Sequence, residues 1–328
     1  MKAVRIHAYG GPEQLRYEDI EIGPPGPGEA FVRHTAIGVN FADLHNCQGR
    51  YPLPHLPHVL GGEAAGVVEA IGLGVSNVKI GDRVAYAAGG PKFAPGSYAE
   101  GRLFAAERLI PIPKEIDDIS AAALFTKGLT AQYLLKSVYP VKAGETIVVH
   151  AAAGGVGLFL VQWAKHLGAR VIGVVSSEEK AELATRNGCQ HVLLASEPDL
   201  ANRVRSLTAG EGVPVVFDSV GKDTFEASLN CLRPRGLMVS FGSSSGRIPP
   251  VDLFTLNTKG SLSVTSAAFA WFVPNREELL SRAAEVVDVV LRGAVKIQIN
   301  QHFSLSDAAQ AHRAIESRKT LGSSVLIP

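Results

Sequence analysis

Two regimes of hydrophobic and polar patterning divide the chain. Up to about residue 114, short alternating runs at 30–35, 65–71 and 82–87 are separated by glycine- and proline-rich turns at 24–28 and 79–82. Such period-two runs predict a compact β-barrel-like domain that opens with a strand at the first residues. From about residue 120 the texture changes. Ser120 is placed to cap a helix over 121–125, an amphipathic stretch follows at 131–138, and then strands and helices alternate. Strands are expected at 147–150, 171–175, 192–194, 213–217 and 236–241, with helices at about 155–166, 178–187, 199–208 and 225–232 between them. That alternation specifies α/β architecture with a doubly wound parallel sheet and right-handed crossovers. Past residue 266, helices at 276–292 and 306–318 precede a terminal strand at 323–327, expected to return to the first domain. The division that follows is 1–125 with 266–328 as one domain and 126–265 as the other.

One segment carries chemistry on its own. Residues 147–164 read as an apolar strand, a glycine-rich turn and an apolar helix, with Ala153, Gly154, Gly155, Val156 and Gly157 in the turn. The run 152–157 fits G-x-G-x-x-G with alanine in the first glycine place, a shape that holds a pyrophosphate. Gly154 lets backbone approach phosphate oxygens, Gly157 lets the helix lie close on the strand, and the helix N-terminus offers free N–H groups. A membrane span is a poor alternative, because the glycines interrupt it and His150 and Gln162 would sit in hydrocarbon. A small-residue helix contact would explain the glycines alone, but the helix ends at Gly168 and leads into the next strand, completing a βαβ unit.

Composition narrows the partners. The chain has 328 residues and a formal net charge of +1, which gives no electrostatic case for nucleic acid or an anionic membrane. No apolar h-region follows the first residues, so no signal peptide is expected. Cys47, Cys189 and Cys231 are scattered and odd in number, which implies no disulfide framework and fits a cytoplasmic protein.

Several further motifs run from end to end: Gly38-Val39-Asn40-Phe41-Ala42-Asp43, Gly61-Gly62-Glu63-Ala64-Ala65-Gly66, Gly81-Asp82-Arg83-Val84, Lys127-Gly128-Leu129-Thr130, Phe217-Asp218-Ser219-Val220-Gly221 and Gly236 to Gly242. Together with the glycine turn they make the chain resemble the zinc-independent, zeta-crystallin type quinone oxidoreductases of the medium-chain dehydrogenase/reductase superfamily. The resemblance implies a GroES-like β-barrel catalytic domain, a Rossmann nucleotide domain, a homodimer, and reduction of small quinones or conjugated enones by NADPH.

It also implies that metal ligands are missing. In the zinc alcohol dehydrogenases of this superfamily a cysteine ligand stands where this chain has Asn40, and a histidine ligand where it has Gly62. The cysteine-rich structural zinc lobe has no counterpart, and His45, Cys47, His55 and His58 lie among prolines without a metal-site spacing. Without a Lewis acid an isolated ketone is poorly polarised, so the acceptor must spread its own developing charge, as quinones and α,β-unsaturated carbonyls do. No metal is expected.

By the resemblance, Asn40 serves the nicotinamide end of the cofactor and Tyr51 the substrate oxygen, as orienting donor or proton source. These two are the expected catalytic residues, each with a structural alternative: a loop cap for Asn40, a packed aromatic for Tyr51. His45 departs from relatives that carry tyrosine there, and Asp43 reads better as a helix cap than as a base. Thr130, Ser219, Gly242 and Arg318 carry over as further cofactor positions. The adenosine end is read at the close of the second βα strand, where NAD-preferring proteins place an acid on the ribose. Here Ser176 and Ser177 stand instead, with Lys180 one turn on, which favours the 2′-phosphate of NADPH over NADH. Glu178, Glu179 and the departure Ala195 argue mildly against. Alternatives are an enone or enoyl reductase with little quinone activity, and a non-catalytic NADPH-binding structural or RNA-binding protein.

Overall fold

The computed structural model describes residues 1–87 and 96–328. The chain separates into two compact units, Met1–Leu129 with Phe272–Leu291 and Ile297–Pro328, and Thr130–Trp271 with Arg292–Lys296.

In the first unit the strand Glu29–Val39 is the hub. It pairs antiparallel with Glu63–Ile71, with Gly101–Ala105 and with the terminal strand Ser323–Ile327, which itself pairs parallel with Ile299–Ser304. The last strand of the chain therefore returns to the first unit, as its position after the final helix suggests. A smaller sheet of Arg16–Asp19, Lys2–Ile6 and His58–Val59 lies beside it. Ile37, Tyr86, Tyr98 and Leu109 form the core with Ala308 and Ala311 from the helix Ala308–Glu316.

The second unit is a parallel sheet in the order His191–Leu194, Arg170–Val175, Thr146–His150, Val213–Asp218, Leu232–Ser240, Ser263–Ser266. All residues of Val213–Asp218 are buried, as expected for a strand covered on both faces. Strand order reverses between Thr146–His150 and Val213–Asp218, the switch point where open α/β sheets bind ligands beyond the carboxyl ends of their strands.

The first helix after the barrel is Asp118–Ala122, capped by the Asp117 side chain, which accepts from Ser120 N; Ser120 lies inside the helix and is not its cap. The stretch at 131–138 divides: its first residues close the helix Phe125–Tyr133, and Leu134–Val138 winds as a wider π-turn. The helix Leu253–Thr258 and strand Ile299–Ser304 were not anticipated. Residues Arg292–Lys296 belong with the second unit, where Lys296 N–H donates to Gln162 Oε1 at 2.9 Å and Gln162 Nε2 donates to Lys296 O at 3.1 Å. That pairing satisfies the polar side chain that stood out in an apolar helix.

Candidate active site

In the second unit the dinucleotide turn is built from the end of Thr146–His150. Ala151 takes the left-handed conformation with φ 51°, one residue before the alanine assigned from sequence to the first glycine place. Gly154 then stands at the N-cap of the helix Gly155–His166, with no side chain capping the free N–H groups there. A Cβ at Gly157 would fall 2.2 Å from Ala151 O and 2.9 Å from Ala152 C, so only glycine lets the helix approach the strand end. At Gly154 the nearest atom to such a Cβ is Ala151 O at 3.2 Å, so this position borders open space on its other sides. Buried Ala153 and partly buried Gly155 and Val156 complete the cradle.

Three further strand ends bring candidate residues to the same edge of the sheet. After Arg170–Val175, Ser176 is exposed and its Oγ accepts from Lys180 Nζ at 3.0 Å, while Ser177 caps the helix Glu178–Arg186. A hydroxyl and an ammonium thus stand together where an acid would favour NADH. After Val213–Asp218 and Leu232–Ser240, Ser219 and Gly242 lie against each other, a Cβ on Gly242 meeting Ser219 O at 2.8 Å. The loop between is anchored from below: the fully buried Asp218 carboxylate accepts from Val220 N, Gly221 N, Thr224 Oγ1 and Ser228 Oγ, and Ser228 Oγ also meets His150 Nε2 at 3.1 Å. Thr130 is buried on the helix Phe125–Tyr133.

In the first unit Asn40 is the N-cap of the short helix Phe41–Cys47, and Asp43 Oδ2 accepts from Asn40 N at 2.8 Å. Asp43 therefore does serve the helix start. Burial pushes its carboxyl up to about 7, against the pull of the hydrogen bonds from Asn40 N–H and Tyr98 O–H. The Asn40 carboxamide is held by two buried charges. Lys127 Nζ donates to Asn40 Oδ1 at 2.9 Å, and Asn40 Nδ2 donates to Glu63 Oε2 at 3.0 Å. Lys127 also pairs with Glu63 at 3.1 Å, and Thr126 N–H donates to Glu63 Oε1 at 2.7 Å. Gly38 admits the carboxylate, since a Cβ there would lie 2.6 Å from Glu63 Oε2. Tyr51 follows the helix, 42% exposed, its ring edge-on to His45 at 4.9 Å, and His45 is edge-on to Phe41 at 5.2 Å. Arg318 is exposed beyond the helix Ala308–Glu316 in a left-handed conformation, φ 57°, which turns the chain out of the helix.

The alcohol dehydrogenase GroES-like domain model matches residues 26–114, and the zinc-binding dehydrogenase model matches residues 155–285. A quinone oxidoreductase of Pseudomonas aeruginosa is 50% identical over 327 residues, covering 100% of this chain and 99% of the relative. The chain belongs to the quinone oxidoreductases of the medium-chain dehydrogenase/reductase superfamily. Among this family's solved structures, Escherichia coli quinone oxidoreductase complexed with NADPH superposes with a TM-score of 0.97 at 44% identity, each chain covered in full. A 2-haloacrylate reductase of a Burkholderia species is 44% identical, covering 99% of this chain and 98% of the relative.

As a member of that family, the chain pairs a GroES-like domain with a Rossmann-type parallel sheet. The residues fit NADPH: an uncapped helix N-terminus with a glycine cradle for the pyrophosphate, and the Ser176–Lys180 pair for a further phosphate. Among the described residues no group of three His, Cys, Asp or Glu side chains could hold a metal ion, and no helix is long and apolar enough to cross a membrane. Two residues of this site were missed by sequence reasoning. The motifs alone give Glu63 and Lys127 no role. The available signal was a lone charge in each motif, Glu63 among glycines and alanines and Lys127 beside Gly128 and Leu129, which requires a partner where it is buried.

Proposed function

We propose that this protein is an NADPH-dependent reductase of small quinones and conjugated enones that works without a metal ion. Similarity along the whole chain to the Pseudomonas aeruginosa quinone oxidoreductase, at 50% identity, carries this reading. The name of the 2-haloacrylate reductase extends the acceptor class in the same direction, since a haloacrylate is a conjugated acid.

Bound NADPH supplies the hydride. The chain's residues do the rest. Ala153 to Gly157 bind the pyrophosphate, Ser176 and Lys180 bind the 2′-phosphate, and Thr130, Ser219, Gly242 and Arg318 complete the nucleotide contacts. Asn40 offers its carboxamide to the nicotinamide end, and Tyr51 donates a hydrogen bond or proton to the acceptor oxygen as charge builds there. A resonance-stabilised acceptor needs no more than such donors. We place the protein in the cytoplasm as a homodimer, with the outer strand Ser263–Ser266 as the pairing edge, and without a nucleic-acid or membrane partner.

The test is a product analysis with NADPH deuterated at C4. One nucleotide should be oxidised per quinone reduced, and with an enone the deuterium should appear on the β-carbon. An enone product with no deuterium on its β-carbon, or no turnover with any quinone or enone, would refute the proposal.

A further inference from the structure

We infer that Lys127 and Glu63 are positioning residues that lock the Asn40 carboxamide in one orientation, so that its second Nδ2 hydrogen is held in a fixed direction for an acceptor oxygen. This rests on the reading of Asn40 as a residue of the reacting centre. An amide side chain can turn over and exchange its oxygen and nitrogen at little cost unless its neighbours forbid it. Here they do. An ammonium can only donate and a carboxylate can only accept, so Lys127 fixes the Oδ1 side at 2.9 Å and Glu63 fixes the Nδ2 side at 3.0 Å. Both anchors are rigid: Glu63 is fully buried and tied by Thr126 N–H at 2.7 Å and by Lys127 at 3.1 Å, while Lys127 is 4% exposed.

Counting hydrogen-bond capacity defines what remains. Asn40 Nδ2 carries two hydrogens and Oδ1 two lone pairs, and the clamp uses one of each. Because Lys127 Nζ and Glu63 Oε2 are themselves 3.1 Å apart, the clamp takes the N–H and lone pair that point the same way. The second lone pair turns back to the helix start, where the Asn40 side chain caps Asp43 N–H, and the second Nδ2 hydrogen is left as a donor on a residue only partly buried. That donor matches the oxygen of a carboxamide or of a sugar hydroxyl, both of which the reacting end of NADPH possesses. Sequence spacing would never propose the clamp, because its members stand 23, 64 and 87 positions apart. It also explains why a charged pair is kept in a core where apolar residues would be as stable.

The test combines Lys127→Met with Glu63→Gln in one protein, which removes both charges, keeps an acceptor for Thr126 N–H, and frees the amide to turn. Lys127→Gln, alone, retains a donor towards Asn40 Oδ1 and serves as the rescue and as the second variant should the double one fold poorly. The readouts are the NADPH dissociation constant by nicotinamide fluorescence, kcat and KM with a quinone, and the melting temperature, with Asn40→Ala measured beside them. The expected result is a loss of about tenfold in NADPH affinity or in kcat for the folded double variant, the size of one oriented hydrogen bond, and substantially less for Lys127→Gln. Folded variants within twofold of wild type in both constants would overturn the clamp while Asn40→Ala remains impaired. If Asn40→Ala is itself unimpaired, the reading of Asn40 fails and the clamp with it.

Discussion

Replacing Gly154 and Gly157 of the dinucleotide turn, one at a time, by alanine separates folding from nucleotide binding. At Gly157 the added methyl carbon would lie 2.2 Å from Ala151 O and 2.9 Å from Ala152 C, all backbone, in a region that cannot retreat without moving a strand end. Overpacking of this kind costs about 1–3 kcal/mol. At Gly154 the methyl would meet only Ala151 O, at 3.2 Å, and a shift of a few tenths of an ångström relieves it. The residue sits at φ −81°, which alanine adopts freely, so reduced freedom of the unfolded chain returns about 0.4–1 kcal/mol. Gly154→Ala should therefore be nearly neutral for stability. Its methyl would nevertheless stand where phosphate oxygens approach the helix N-terminus, and NADPH affinity should fall about tenfold or more, about 1.4 kcal/mol. Urea denaturation gives the stabilities, and NADPH fluorescence titration gives the affinities. A Gly154→Ala protein that binds NADPH as tightly as wild type would refute this placement of the pyrophosphate.

Tyr51→Phe should lower kcat with a quinone by about a hundredfold if the phenol is the proton source, and leave urea stability within about 0.5 kcal/mol because the ring is 42% exposed; unchanged kcat would remove Tyr51 from the chemistry. Lys180→Ala should narrow the NADPH-to-NADH preference in kcat/KM by about tenfold through loss of a charged phosphate contact, and an unchanged ratio would move the phosphate elsewhere. Stability should fall as pH drops from 6.5 towards 4, because burial holds His34 at about 3 and His312 at about 4, so the unfolded chain binds more protons in that window. Asp43 acts oppositely: its carboxyl, pushed up to about 7, keeps its proton in the native state, and the stability this contributes is lost as pH rises from about 4 to 7. Asp43→Asn should accordingly steepen the acid-side loss in urea melts, and an unchanged slope would show that the burial of Asp43 does not govern its titration.

What was legible in the sequence was local. The turn from Ala151 to Gly157, the helix stop at Gly168 and the Ser176–Lys180 pair are each set by residues within a few positions, and periodicity alone carried the parallel sheet. What was hidden depends on distant partners. Glu63 meets Asn40 because Glu29–Val39 and Glu63–Ile71 pair antiparallel, bringing Gly38 opposite Glu63, and Lys127 reaches both from the helix Phe125–Tyr133. Gln162 looked anomalous in its helix until the segment Arg292–Lys296 supplied its partner. Capping failed on a near-tie, since Asp117 and Ser120 are both good caps, and Asp117 accepts from Ser120 N–H and O–H alike. The Ser219–Gly242 contact likewise needed two neighbouring strand ends.

Metal-free reduction of a conjugated acceptor by NADPH is tested by steady-state oxidation of NADPH and of NADH with 1,4-benzoquinone before and after exhaustive chelation. NADPH should show the higher kcat/KM, and the rates should be identical after chelation. Activity abolished by the chelator and restored by a divalent metal would contradict it.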